Sequence, residues 1–311
     1  MKKKMIAAIL AVAVVTMAFG GGRADAKAGT KGPVTVASKI DTEGALLGNM
    51  LRLVLEADGF RVNDRVQLGA TNVVRQAILA GEIDIYPEYT GNAAFFHGKG
   101  DSPVWMDAKA GWIRAGELDA PQGLTWLPSA PANNTWAIAI RGDLARSSGL
   151  ATMSDFGRYV AGGGSVKLAG SEEFVNSPAA LPAFQKAYSF SMKPAQLLVL
   201  AGGNTAATEK AAADGTDGVN AAMAYGTDGQ LAAFGLVVLT DDRGVQPVYE
   251  PAPLIRTAVL QKHPEIQSLL APVFGALDLV TLQTLNGRIA VDGQSATDVA
   301  SSWLRSKGFL K

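Results

Sequence analysis

The chain has 311 residues, 48% hydrophobic and 18% charged, which is ample apolar content for a core and shows no sign of disorder. The formal net charge is zero, so there is no electrostatic footprint for nucleic acid. Cysteine is absent and only two histidines occur, His97 and His263, which excludes disulfides, thiol chemistry and Cys-ligated zinc and argues against a histidine-rich metal site; no cofactor is expected.

Lys2, Lys3 and Lys4 precede an apolar run, Met5 to Phe19, that is short for a transmembrane helix, and Ala24-Asp25-Ala26 is a small-x-small cleavage site. Residues 1–26 are therefore expected to be a cleaved signal peptide. The mature chain, 27–311, would carry 24 basic and 27 acidic groups, net −3, and reside in the periplasm.

Val34 to Ala37 is a β-branched run that predicts a first strand. Ser38 to Glu43 supplies helix-start chemistry, and Leu47, Met50, Leu51, Val54 and Leu55 share one helical face. Phe60 to Leu68 alternates as a second strand, and Thr71 is a candidate cap for a helix that stops at Gly81. Ile83 to Tyr86 reads as a buried strand broken by Pro87, followed by the polar, aromatic loop Glu88-Tyr89-Thr90-Gly91-Asn92 and a helix start at Ala93. This β-α-β-α-β order predicts a parallel sheet with right-handed crossovers.

Ser102 to Gln122 is helical in character, and Asn133-Asn134-Thr135-Trp136 leads into a strand over Ala137 to Arg141. A second strand–helix alternation follows: helices over Leu144 to Ala161, the turn Gly162-Gly163-Gly164-Ser165, a strand at Val166 to Ala169, a helix at Leu181 to Tyr188 and a strand at Leu197 to Leu200. The turn at Gly202 to Thr205 then precedes a helix at Thr208 to Ala213 and strands at Ala221 to Tyr225 and Leu236 to Thr240. From Pro253 onward the pattern is three helices, near 264–275, 278–286 and 296–307, the last capped by Ser295 and stopped at Gly308. Two α/β units result, the second (137–246) inserted into the first (27–136 and 247–311). Two lobes joined by two crossings suggest a hinged clamp with ligand between them.

No catalytic constellation assembles. There is no Cys–His pair, GxSxG or HExxH, and the adjacent acids Glu172-Glu173 and Asp241-Asp242 read as solvated turn charges. The aromatic residues Tyr89, Trp136, Tyr225 and Tyr249 each sit at an element boundary beside polar turn residues. Several rings around one cavity suit a quaternary ammonium, which cannot donate a hydrogen bond but is attracted to the ring quadrupole. On these residues alone the positions fit half-buried core as well as a cage. Glu43, Asn134, Thr135 and Asp228 lie beside the rings, placed either to brace loops or to touch ligand. Tyr86 is expected to pack, and His97 and His263 to be surface or helix-end residues.

Six stretches carry a resemblance: SKIDTEGALLGN (38–49), DIYPEYTGN (84–92), APANNTWAIA (130–139), LPAFQKAYSF (181–190), VNAAMAYGTDG (219–229) and VQPVYEPAP (245–253). In this order and spacing they resemble the glycine betaine/choline/carnitine-binding proteins of bacterial ABC importers, in particular the OsmF/YehZ-type osmoprotectant branch. The resemblance implies an α/β, two-lobed type II periplasmic binding protein fold, each lobe a mostly parallel sheet flanked by helices. It also implies a monomer that hands a trimethylammonium compound to a membrane permease–ATPase complex. It places the cation cage at Tyr89, Trp136, Tyr225 and Tyr249, and the ligand's carboxylate at Lys39 and at Asn92, where the family has a hydroxyl. A second-lobe arginine of the family is missing between Glu173 and Leu181, where Asn176 and Ser177 stand. That removes a bidentate anchor and predicts weak betaine binding or a choline-like preference, unless backbone N–H groups near Ser177 substitute. The competing expectations are another zwitterion (carnitine, ergothioneine or an amino acid), or a stress-related protein that binds another protein.

Overall fold

The computed structural model describes residues 31–100, 102–200 and 205–311; the expected signal peptide, residues 1–26, and most of the turn 202–205 lie outside them. The chain runs β1 (Lys31–Lys39), α1 (Thr42–Ala57), β2 (Phe60–Gly69), α2 (Thr71–Ala80), β3 (Ile85–Tyr89), α3 (Asn92–Phe96), α4 (Ala108–Asp119) and β4 (Leu124–Trp126). It then forms β5 (Trp136–Arg141), α5 (Gly142–Ser148), α6 (Met153–Ala161), β6 (Leu168–Ser171), α7 (Glu172–Asn176), α8 (Leu181–Tyr188), β7 (Leu197–Leu200), α9 (Thr205–Asp214), β8 (Ala221–Tyr225), α10 (Gln230–Ala233) and β9 (Leu236–Val238). It closes with β10 (Pro251–Arg256), α11 (Thr257–Lys262), α12 (Glu265–Gly275), α13 (Leu279–Ala290) and α14 (Ala296–Ser306).

Two five-stranded sheets form, ordered β2-β1-β3-β10-β4 and β7-β6-β8-β5-β9. Both are mixed. β2, β1 and β3 are parallel while β10 is antiparallel to β3 and β4. Likewise β7, β6 and β8 are parallel while β5 is antiparallel to β8 and β9. Each sheet is covered on both faces, which is what parallel strands of near-continuous apolar sequence require. In the first, α1, α12, α13 and α14 bury Leu46, Leu47, Met50, Leu270 and Leu304 against one face, and Val74, Ile78, Trp105 and Trp126 pack on the other. In the second, Phe156, Phe174 and Phe184 cover one face and Ala211, Ala212 and Leu231 the other.

Local chemistry explains most boundaries. Asp41 caps α1 by accepting the Gly44 N–H at 2.7 Å. Ser295 caps α14, whose Trp303 and Leu304 are buried, and Gly308 takes positive φ beyond it. His97 and His263 both stand at helix C-termini. Thr71, by contrast, is the first helical residue of α2 and not its cap; Ala70 holds that position with no side-chain bond.

Two departures concern proline. β3 does not break at Pro87 but continues to Tyr89, and a strand the sequence pattern did not reveal, β10, contains Pro251 and Pro253 in the middle of the sheet. The reason lies in which way each peptide group points. The carbonyls of Pro251 and Pro253 accept from Ala130 and Leu127, on the side away from β3. A strand residue's N and C=O face the same neighbour, so these prolines withdraw no donor from the β3 ladder.

The chain passes between the sheets twice, through residues 127–135 and 239–250. The two segments bond to each other, Asn134 N–H to the Tyr249 carbonyl at 2.9 Å and Tyr249 N–H to Asn133 Oδ1 at 2.8 Å.

Candidate ligand-binding cleft

A cavity of about 710 Å³ lies between the two sheets. β1, β3 and β8 deliver Lys39, Tyr89 and Tyr225 to it from their carboxyl ends. Because β5 is antiparallel to β8, the first residue of β5, Trp136, arrives at the same edge, paired with Tyr225. Tyr249 enters from the second crossing. The four rings expected to form a cage therefore do line one cavity, as do Lys39 and Asn92. Ser177 does not; its N–H is bonded to the Glu173 carbonyl at the end of α7, and Glu173 and Ala179 reach the wall instead.

Hydrogen bonds fix the rings. Trp136 Nε1 donates to Tyr225 Oη at 3.1 Å, and the indole meets Phe174 edge-on at 6.1 Å. Tyr89 Oη donates to Glu43 Oε1 at 2.7 Å. The buried Glu43 also accepts from Asn134 Nδ2 at 3.2 Å and Asn286 Nδ2 at 2.6 Å, so it ties α1, β3, the first crossing and α13 together. Burial pushes the Glu43 carboxyl up, and burial with the neighbouring Glu43 charge holds the Tyr89 phenol well above its ordinary range. Tyr225 and Tyr249 are also raised by burial, so all three phenols present neutral rings.

The polar end is organised around a residue that sequence reading did not single out. Glu88, fully buried in β3, accepts at Oε1 from Lys39 Nζ at 2.5 Å, Tyr89 N–H at 2.7 Å and Asn92 Nδ2 at 2.7 Å, and at Oε2 from Tyr86 Oη at 2.9 Å. Lys39 Nζ stands 4.5 Å from the centroid of the Tyr89 ring. Both donors expected to meet a ligand carboxylate thus already serve an internal one. A glutamate within an apolar strand was the available signal, since burial of such a charge demands a partner.

A second acid pair underlies the other wall. Asp228 accepts the Tyr225 N–H at 2.7 Å and is raised by burial. Glu209, fully buried behind it, is pushed up to about 10 by burial and by Asp228. Glu209 therefore keeps its proton at neutral pH, neutral beside the Asp228 carboxyl.

The second unit meets α13 beside the cleft: Gln283 Nε2 donates to the Gly226 carbonyl at 2.7 Å and Asn286 Nδ2 to the Thr227 carbonyl at 3.0 Å. Asp241, read as a solvated turn charge, instead accepts the Tyr188 hydroxyl and the N–H groups of Val245 and Gln246.

Two covered mixed sheets, two crossings and a ring-lined cleft between the sheets define a two-lobed substrate-binding protein. The family follows from comparison: the model described as the substrate binding domain of ABC-type glycine betaine transport systems matches residues 32–306. The chain belongs to this family; it is a substrate-binding protein of transport, not an enzyme. The glycine betaine-binding protein YehZ of Escherichia coli (strain K12) is 54% identical over 90% of this chain and 92% of that protein. The structure of apo YehZ aligns with a TM-score of 0.84 over 90% of this chain and 100% of that one. A glycine-betaine-binding protein of Pseudomonas aeruginosa is 31% identical over 94% of this chain and 92% of its own length.

Proposed function

We propose that the chain binds glycine betaine or a related quaternary amine among Tyr89, Trp136, Tyr225 and Tyr249 and delivers it to an ABC permease–ATPase complex. The observation that carries this reading is the convergence of four aromatic side chains, from four separate segments, on one cavity. Each ring contributes roughly 0.5–2 kcal/mol to a cation on its face, more when water is excluded. The lobes are assigned as 27–136 with 247–311, and 137–246, closing about the paired crossings to desolvate the cation. Residues 1–26 are assigned as the cleaved signal peptide of a periplasmic monomer.

The carboxylate end is the weaker one. Among the described residues no arginine lines the cavity, Lys39 and Asn92 are held by Glu88, and Ser177 is off the wall. Affinity for betaine is accordingly low, and choline and carnitine are accepted by the same rings. One observation favours a second reading, a zwitterion with N–H donors such as an amino acid: the Glu173 carboxylate is on the cavity wall.

Calorimetry and tryptophan fluorescence on the mature protein, with glycine betaine, choline, carnitine and proline, decide between them. Trimethylammonium ligands bind and proline does not if the cage reading holds. Binding of proline alone points to the second reading, and no binding at millimolar ligand removes both.

A further inference from the structure

We propose that Glu88 is the specificity-determining residue of this cleft: an internal carboxylate that occupies the anion-binding end, so that ligands are selected by their cationic head alone. The inference rests on the quaternary-amine reading and concerns the opposite end of the same site.

Among the described residues, Lys39 is the sole basic side chain on the cavity wall, whereas Asp41, Glu43, Glu173 and Asp228 are all acidic. Its ammonium is not presented to the cavity as a free charge. It lies 2.5 Å from Glu88 Oε1, with both side chains almost wholly buried, and over the Tyr89 ring. The same Oε1 takes the Asn92 amide. A ligand carboxylate entering here has two options. It separates a buried ion pair, leaving Glu88 unneutralised in β3, or it stays without a cation among four acids. Both are costly in a low-dielectric site. A ligand without a carboxylate meets neither cost.

Replacing Glu88 by glutamine keeps the shape and an acceptor for Asn92 and for the Tyr89 N–H, but removes the charge that holds Lys39. The ligand's carboxylate then becomes the partner of the Lys39 ammonium. A charge-assisted bond of ordinary strength corresponds to at least about a tenfold gain for glycine betaine relative to choline.

The experiment is calorimetric titration of the mature wild type, Glu88→Gln, and the double variant Lys39→Met/Glu88→Gln, each with glycine betaine and with choline. Thermal melts confirm folding. The expected result is a shift of the betaine-to-choline affinity ratio toward betaine of about tenfold or more in Glu88→Gln, cancelled in the double variant. An unchanged ratio in folded Glu88→Gln overturns the proposal. So does a selective loss of betaine binding in the double variant, because Lys39 would then serve the ligand even while paired. If the single variant does not fold, the double variant decides, since it buries no unpaired charge. Failure of the cage reading looks different: neither ligand binds any of the three proteins, and both proposals fall together.

Discussion

The ring of Tyr249 lies directly on the backbone of Gly91: a Cβ at residue 91 would fall 2.7 Å from two of its ring carbons. Gly91 has ordinary right-handed backbone angles, φ −63° and ψ −24°, so it is the ring and not the backbone that excludes a side chain. Gly91→Ala is therefore expected to fold normally and to push Tyr249 off its seat. Loss of one ring's contribution weakens quaternary-amine binding by roughly 2- to 30-fold, read by calorimetry, with an unchanged circular dichroism spectrum.

Trp136 and Tyr225 face each other across β5 and β8 and share one hydrogen bond. Tyr225→Phe keeps the ring but removes the acceptor of the indole N–H; Tyr225→Ala removes both. The expected order of affinity is wild type, then Phe, then Ala, with the Ala variant weaker than wild type by roughly 2- to 30-fold or more. Equal affinity of all three in a fluorescence titration would place the cation away from this pair.

Gly229 meets α13 backbone to backbone, and a Cβ there would lie 2.2 Å from the Gly287 nitrogen and 2.4 Å from the Asn286 carbonyl carbon. Neither neighbour is a flexible side chain, and the φ of Gly229 is −75°, so strain arises only from the contact. Gly229→Ala is expected to hold the 226–229 loop off α13 and disfavour closure. Ligand affinity falls about tenfold, and the radius of gyration measured by X-ray scattering with saturating ligand exceeds that of wild type.

Glu209 gives stability a pH dependence of defined sign. Its folded pKa of about 10 lies above the ordinary 4.5, so between these values the folded state holds a proton that the unfolded state releases. The Glu209 contribution therefore diminishes as pH rises through that window. Glu209→Gln removes it. Between about pH 6 and about pH 9, wild type is expected to lose more thermal stability than the variant. Equal losses would mean that Glu209 does not hold its proton in the folded state at neutral pH.

The longer helices and most strands were legible because their signals are local, whereas the short helices α7, α10 and α11 were not. The period of Leu47, Met50, Leu51, Val54 and Leu55 and the Asp41 cap act within α1 itself, and the tail helices end where Ser295 and Gly308 place them. Three of the aromatic positions were legible as well, because turn residues mark the ends of β3 and β8 and the start of β5, and those ends of the two sheets face one cavity. β10 was not legible, since two prolines contradict a central strand until it is known which neighbour each peptide group faces.

The polar end depended on contacts that no local pattern encodes. Lys39 and Glu88 are 49 positions apart, and no pattern within either segment pairs them. β1 and β3 are adjacent in the sheet, and the low dielectric of the buried site leaves an ammonium and a carboxylate there no alternative to each other. By itself the amino-acid order determined the longer helices, most strands and the turn-flanked positions of the aromatic residues. The tertiary structure alone decided what those rings surround and which charges are already matched, because pairing across a sheet and burial of charge are properties of the assembled fold.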